Sequence, residues 1–225
     1  MVSPAIEDYL KAIYKLQRQQ GRVTTSAIAE KLTLSNATVT AMIKRLAKKK
    51  LLKHISYHGV VLTNNGEHIA LKVIRRHRLV ESFLKEVLGV DWDKVHVEAE
   101  KLEHFISDEI LERIDHVLGY PKTDLHGDPI PTNDGKIESV EGNYPLSDVE
   151  VGRTVVISRV SDGDPDKLRF MAVLGLFPGV SVYIRDKAPF EGDIFIKVGL
   201  SEHHLPKDVA RNIYVTQTHE KSIEN

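Results

Sequence analysis

The stretch T-S-A-I-A-E-K-L-T-L-S-N-A-T-V-T-A-M-I-K-R-L-A-K-K-K-L-L-K-H-I-S-Y-H-G-V-V-L-T, Thr25 to Thr63, decides the N-terminal fold. Ile28, Ala29 and Leu32 recur at helical spacing, and Thr25 is placed to cap that short helix. Thr33-Leu34 makes the turn, Ser35 caps, and Asn36 to Lys50 forms a further helix with Val39, Ile43 and Leu46 inward. From Leu51 the period changes: Leu52, His54, Ile55 and Tyr57 precede His58-Gly59, and Val60, Val61 and Leu62 follow, as in a β-hairpin. Upstream, Pro4 to Gln19 is helical, with Ile6, Leu10, Ile13, Tyr14 and Leu16 near one face. Downstream, Thr63 to Glu67 caps a long helix from Gly66 to about Leu88. Helices joined by a tight turn and followed by a hairpin make a winged helix-turn-helix, whose recognition helix enters the DNA major groove.

Charge supports a polyanionic partner. Met1 to Arg78 carries 15 Lys+Arg against 4 Asp+Glu, whereas Leu79 to Leu118 carries 4 against 11, although the whole chain of 225 residues has a formal net charge of -1. A basic module for nucleic acid followed by an acidic module for a cation fits this asymmetry. Thr25, Ser35, Asn36, Ala37, Thr38, Thr40, Lys44 and Lys48 are the candidate DNA contacts. Hydroxyl and amide groups there reach base edges or phosphates. Arg45, Lys49, Lys50 and Lys53 add salt-dependent backbone attraction.

The acidic module contains E-K-L-E-H, Glu100 to His104, with His96 one turn earlier. Glu100, Glu103 and His104 share one helical face, because positions i, i+3 and i+4 project together. Carboxylates and an imidazole on one face form half of a divalent-metal site, which another element must complete. Cysteine is absent, which excludes disulfides, thiolate metal sites and cysteine nucleophiles. Val95, Leu102, Phe105, Ile106, Ile110, Leu111 and Ile114 supply more apolar surface than a short segment can bury alone, which points to a subunit interface. A two-fold dimer would present two recognition helices to a palindromic operator.

Gly119 to Ser147 is rich in turn signals and reads as a linker. Beyond it, Thr154–Ser158, Val180–Ile184, Ile194–Val198 and Asn212–Val215 are expected strands, with a small helix from Lys167 to Leu176, closing as a small β-barrel. His203-His204 is placed in a polar surface loop. No apolar run approaches a membrane span and the N-terminal residues lack a signal-peptide pattern, so the expected location is the cytoplasm.

Several strings now align in order: E-D-Y-L-K-A-I-Y (Glu7–Tyr14), the helix around Ser35–Arg45, R-H-R-L-V-E (Arg76–Glu81), H-V-E-A-E-K-L-E-H (His96–His104), S-D-E (Ser107–Glu109) and H-G-D-P-I-P (His126–Pro131). With them the chain resembles the DtxR/MntR family of metal-dependent transcriptional repressors over essentially its whole length. The resemblance implies a mainly α N-terminal part, winged helix-turn-helix plus helical dimerisation domain, and a small all-β SH3-like barrel at the C-terminus. The implied divisions are 1–75 for DNA binding, 76–146 for metal binding, dimerisation and linker, and 147–225 for the barrel. It further implies a metal site at Asp8, Glu100, Glu103 and His104, with His77 adjacent. A second site is implied at Glu81, Asp124, His126 and Asp162, with His77 or His96. Iron-responsive members carry methionine at the position of Asp8 and cysteine at that of Glu100, so these hard carboxylates match the manganese-responsive branch. Lys11 departs from the short manganese regulators, which place a glutamate ligand there, and so argues against their paired-metal arrangement. The expected protein is a Mn2+-activated, homodimeric repressor of metal-uptake genes. Fe2+ or Zn2+ sensing is the alternative within the family, and a metallohydrolase the alternative outside it. No H-E-x-x-H or glycine-rich phosphate loop supports the latter.

Overall fold

The computed structural model describes residues 2–55, 59–137, 142–190 and 192–217. Tyr57 and His58 at the tip of the expected wing, and 138–141 of the expected linker, lie outside the described residues. Two compact units interleave along the chain: Met1–Val80 with Ala99–Val117 and Ile130–Ile137, and Glu81–Glu98 with Leu118–Pro129 and Glu138–Asn225.

In the first unit, α1 (Pro4–Gln20) starts on proline at its first turn, where the missing N–H costs nothing, and stops at Gly21 with φ 67°. Helix α2 (Thr25–Leu32) is capped by Thr24, not Thr25: the Thr24 hydroxyl accepts from Ala27 N–H at 3.1 Å. The cap must lie one residue outside the helix to reach that amide. Helix α3 (Asn36–Lys48) takes its cap from Ser35 as expected, but ends two residues early because Lys50 turns to φ 58°. Strands β1 (Leu52–Ile55) and β2 (Gly59–Leu62) pair antiparallel, Leu52 opposite Leu62 and Ile55 opposite Gly59. Val60 N–H also donates to Val23 O at 3.0 Å, tying the wing to the start of the helix-turn-helix. Thr63 caps α4 (Asn64–Glu86) through Gly66 N–H, so this helix begins two residues before its expected start. Ile6, Leu10, Ile13, Ile28, Val39, Leu46, Leu52 and Val60 form the core between α1 and the wing. Helix α5 (Val95–Leu102) enters this unit from Ala99, and α6 (Asp108–Val117) follows. Two separate helices therefore stand where the sequence left one or two open.

The second unit is built on one antiparallel six-stranded sheet in the order β3-β8-β4-β5-β6-β7. Its elements are β3 (Tyr144–Pro145), β4 (Thr154–Val160), α7 (Pro165–Val173), β5 (Ser181–Lys187), β6 (Ile194–Val198), β7 (Ser201–Leu205), α8 (Lys207–Ala210) and β8 (Ile213–Gln217). The four expected strands are all present. β3, β7 and α8 were not expected, and His203 and His204 belong to β7, paired with Ile196 and Phe195, instead of to a loop. The strand is polar because it is an edge with neighbours on one side only, which hides it from an apolar-run reading. Ile157, Val182, Ile184, Ile196, Ile213 and Val215 bury one face of the sheet, with Trp92, Leu168 and Met171 over it. No helix among the described residues is long and apolar enough to cross a membrane.

Gly59 combines φ 80° with a backbone approach so close that a Cβ would stand 2.0 Å from Val23 O. Urea denaturation should show Gly59→Ala destabilising by about 2–4 kcal/mol. Gly21→Ala, whose Cβ would meet nothing within 4 Å, should cost only the backbone term of about 1–2 kcal/mol.

Candidate metal centre

Helix α1 and the turn after α5 meet at a cluster of acids and imidazole. Glu103 and His104 lie just past Leu102, yet Glu103 N–H still donates to Ala99 O at 2.9 Å, so Glu103 keeps its helical position. One ligand atom from each of Asp8, Glu103 and His104 lies within 4.8 Å of the others. His104 Nε2 is 2.8 Å from Asp8 Oδ1 and 3.4 Å from Glu103 Oε1. Its Nδ1 is 2.6 Å from Glu7 Oε2, and Arg76 in turn stands 3.8 Å from Glu7 Oε1. A carboxylate on one ring nitrogen fixes the imidazole plane and leaves the other nitrogen to the cluster.

The Glu103 side chain is fully buried. Its Oε1 accepts from Lys11 Nζ at 2.6 Å, and its Oε2 is 2.5 Å from His77 Nδ1. Lys11 Nζ also donates to Glu100 Oε1 at 2.7 Å. Burial by itself would lower the Lys11 pKa, but the charges of Glu103 and Glu100 outweigh it and hold the ammonium above the ordinary lysine value. Burial raises the Asp8 carboxyl above its usual range, against the opposing pull of His104 and Lys11. Oxygen donors with one imidazole are a hard set, suited to a divalent first-row cation. The expected residues Asp8, Glu100, Glu103, His104 and His77 thus gather in the first unit. Glu7, Lys11 and Arg76 were not anticipated as members. Glu7 and Lys11 flank Asp8 at i−1 and i+3, a spacing visible in the sequence, but their partners lie about 90 residues away.

A second cluster lies in the other unit. His96 Nδ1 is 2.9 Å from Glu81 Oε1, and Glu81 is buried. The His126 imidazole is buried, and neither ring nitrogen makes a hydrogen bond among the described residues. Burial holds its pKa below the ordinary histidine value, against Glu81, Asp162 and Asp128, with His96 reinforcing the shift. A neutral, unbonded imidazole facing carboxylates has a lone pair available for a cation. Hydrogen bonds brace its loop. Asp124 Oδ1 accepts the N–H groups of His126 and Asp128, both at 2.9 Å, and His126 O accepts from Val160 N–H at 2.8 Å. A Cβ on Gly127, at φ 86°, would stand 2.0 Å from Ser158 O. Of the expected second set, Asp124 therefore shapes the loop through one oxygen, while Glu81, His96 and Asp162 act electrostatically on His126.

On α3, Asn36, Ala37, Lys44 and Lys48 are exposed, as are Arg45, Lys49 and Lys50, while Thr25 is half-buried on α2. The exposed Ser35, Thr38 and Thr40 have hydroxyls already engaged locally: Ser35 Oγ accepts from Thr38 N–H and lies 2.8 Å from Thr38 Oγ1, and Thr40 Oγ1 donates to Asn36 O. On the acidic module, Phe105 is 79% exposed, with Leu102, Ile110 and Val117 also open. Exposed apolar side chains gathered on one segment mark it as a candidate interaction surface.

Three family descriptions match the chain in order: "Iron dependent repressor, N-terminal DNA binding domain" at 1–60, "Iron dependent repressor, metal binding and dimerisation domain" at 63–132, and "FeoA domain" at 144–217. The iron-dependent repressor IdeR of Mycobacterium tuberculosis is 30% identical over 223 residues, covering 93% of this chain and 95% of its own. The chain belongs to the DtxR/MntR family of metal-dependent transcriptional repressors. The HTH-type transcriptional regulator MntR of Bacillus subtilis, another relative of this DtxR/MntR protein, is 36% identical over 124 residues, 55% of this chain and 87% of its own. A solved structure described as a manganese-dependent transcriptional repressor in complex with manganese superposes with a TM-score of 0.85 at 37% identity, covering 94% of this chain and 99% of the other. The metallohydrolase alternative falls away, because DtxR/MntR members are metal-dependent regulators and not enzymes.

The second cluster carries a pH signature. Because burial depresses His126 in the folded chain, protons prefer the unfolded chain below the ordinary value of 6.5. In chelator, the stability that is complete above pH 6.5 should fall on acidification, by at most about 1.4 kcal/mol per pH unit for this one group. Thermal melts from pH 7.5 to 5 should show that slope reduced in His126→Gln.

Proposed function

We propose that this family member is a manganese-activated repressor that binds a palindromic operator as a homodimer and shuts off metal-uptake genes from the cytoplasm. The observation that carries the metal reading is the convergence of Asp8, Glu103 and His104, with carboxylates where softer sulfur ligands would favour other ions. Glu100, which shares the Lys11 ammonium with Glu103, is a further carboxylate beside this centre. When bound, Mn2+ supplies a double positive charge that draws the carboxylates of α1 and the α5 turn together. Asp8 then ties α1 to Glu103 and His104, Glu7 orients His104, and His77 braces Glu103. This fixes the helix-turn-helix on the dimerisation segment, so Asn36, Ala37, Lys44 and Lys48 of two copies meet successive major grooves. Glu81, His96, Asp124, His126 and Asp162 form a second ion site. The division 1–75, 76–146 and 147–225 describes the three functional parts.

Iron is the second reading, supported by the similarity to IdeR, and zinc the third, since it outranks manganese at most nitrogen–oxygen sites. Fluorescence anisotropy on DNA from the gene's own upstream region, titrated with Mn2+, Fe2+ and Zn2+ at fixed salt, separates these readings. Saturable binding activated by Mn2+ at the lowest free concentration and reversed by chelator is expected. Activation by Fe2+ or Zn2+ but not Mn2+ would transfer the reading to that ion, and tight metal-independent binding would end it.

Glu103→Ala should lose at least 100-fold in Mn2+-dependent DNA affinity, about 2.7 kcal/mol of coupling. Glu7→Gln should weaken Mn2+ binding by about 10- to 100-fold through the orientation of His104 alone, read by isothermal titration. Lys44→Ala and Lys48→Ala should each reduce the salt dependence of DNA binding by a log–log slope of about 1.

A further inference from the structure

Glu7 and Asp8 are neighbours on α1, and they take the two nitrogens of one imidazole. Glu7 Oε2 is 2.6 Å from His104 Nδ1, and Asp8 Oδ1 is 2.8 Å from His104 Nε2. The angle at which the ring presents Nε2 to the cluster therefore depends on where the Glu7 carboxylate sits. The Glu7 side chain is 12% exposed, so its charge calls for a counter-charge close at hand. Among the described residues Arg76 is the one lysine or arginine in ion-pair contact with it, Nη1 standing 3.8 Å from Glu7 Oε1.

Arg76 is itself held from the other side. Its Nη2 donates to Oδ1 of Asp108, the first residue of α6, at 3.0 Å. Arg76 and Asp108 both line a cleft of about 270 Å3, where a guanidinium without that anchor has room to turn. The two contacts use different nitrogens of one planar group, so fixing one aims the other. A lysine ammonium is a single point and cannot reproduce this arrangement. Asp108 is 86% exposed, and its pair with Arg76 contributes little stability by itself. Its consequence lies in where it aims the arginine.

We propose that Arg76 is a positioning residue for the candidate metal centre: anchored by Asp108, it seats the Glu7 carboxylate, and through Glu7 it sets the His104 ring. The inference rests on the reading of Asp8, Glu103 and His104 as a cation site. It adds a residue of α4 whose own contacts are with Glu7 and Asp108 and not with that triad.

Two effects of this arginine oppose each other, and their signs separate the readings. As a bare positive charge it repels a divalent cation, so its removal should tighten binding. As the seat of Glu7 it improves the His104 ligand, so its removal should weaken binding. The negative charge of Glu7 offsets the repulsion, and orientation dominates.

The test is isothermal titration of Mn2+ into the full chain carrying His126→Gln, which removes the imidazole of the second cluster. Arg76→Gln is expected to weaken Mn2+ binding by about three- to tenfold while the melting transition is retained. In a Glu7→Gln background the same change is expected to have no further effect, because the arginine has no carboxylate left to seat. The coupling of the bound imidazole nitrogen in Mn2+ spin-echo spectra should fall in Arg76→Gln, as it should in Glu7→Gln. Unchanged or tighter binding in Arg76→Gln overturns the proposal, and so does an unaltered nitrogen coupling. An equal loss with and without Glu7 is the mark of a general structural role and overturns it too. If Arg76→Gln does not fold, Arg76→Lys decides, since it keeps the charge and loses the fork. Positioning then predicts weaker binding, and no change overturns it. A chain that takes up no Mn2+ with Arg76 and Glu7 intact overturns the reading of the cluster itself, and the proposal with it.

Discussion

A carboxylate buried to the last atom, that of Glu103, sets the terms for the N-terminal unit. An ionised acid removed from water costs several kcal/mol unless its oxygens are paired. Here Lys11 from α1 holds one oxygen and His77 from α4 holds the other. The three elements are therefore joined by an electrostatic requirement as well as by apolar packing. Displacing any one of them leaves a charge stranded. The same oxygen that Lys11 holds lies near His104 in the group with Asp8, so a buried ion pair is also part of the candidate sensor. Ligand chemistry and the placement of the DNA-binding helices become one question.

The winged part depends on a different constraint, close backbone approach. Val23 O accepts from Val60 N–H, and Gly59 faces that same carbonyl with no room for a side chain. The wing is thereby stitched to the loop before α2. On α3 the hydroxyls of Ser35, Thr38 and Thr40 have local partners, which preorganises the first turn of the recognition helix. These side chains are thus restricted before any partner is met, while Asn36, Lys44 and Lys48 stay exposed.

In the C-terminal unit a buried, unbonded imidazole takes the corresponding role. His126 is presented by a loop that Asp124 folds from within and that β4 holds from without. Trp92 covers the ring at 5.2 Å between centroids. Burying an imidazole with neither nitrogen hydrogen-bonded is costly.

Much was legible in the sequence. Helical period and capping residues placed α1, α2 and α3 within two residues, because those elements obey local rules: Ser35 can cap only the helix that follows it, and Pro4 can only begin one. The change of period at Leu52 marked the hairpin for the same reason. Helix α5 ends at Leu102, so Glu103 and His104 lie just beyond the helix that was expected to carry them with Glu100, but the E-K-L-E-H string itself was equally visible. β7 was not, because an edge strand need not be apolar, and the cap of α2 was misplaced by one residue because Thr24 and Thr25 are chemically alike. Above all, the sequence could not choose partners. That Lys11 faces Glu103 and Glu100, that Glu7 orients His104, and that Asp124 braces a loop all depend on contacts between segments far apart in the chain. Spacing determines which side chains share a face, whereas only the packing of one face against another decides which charges must neutralise each other.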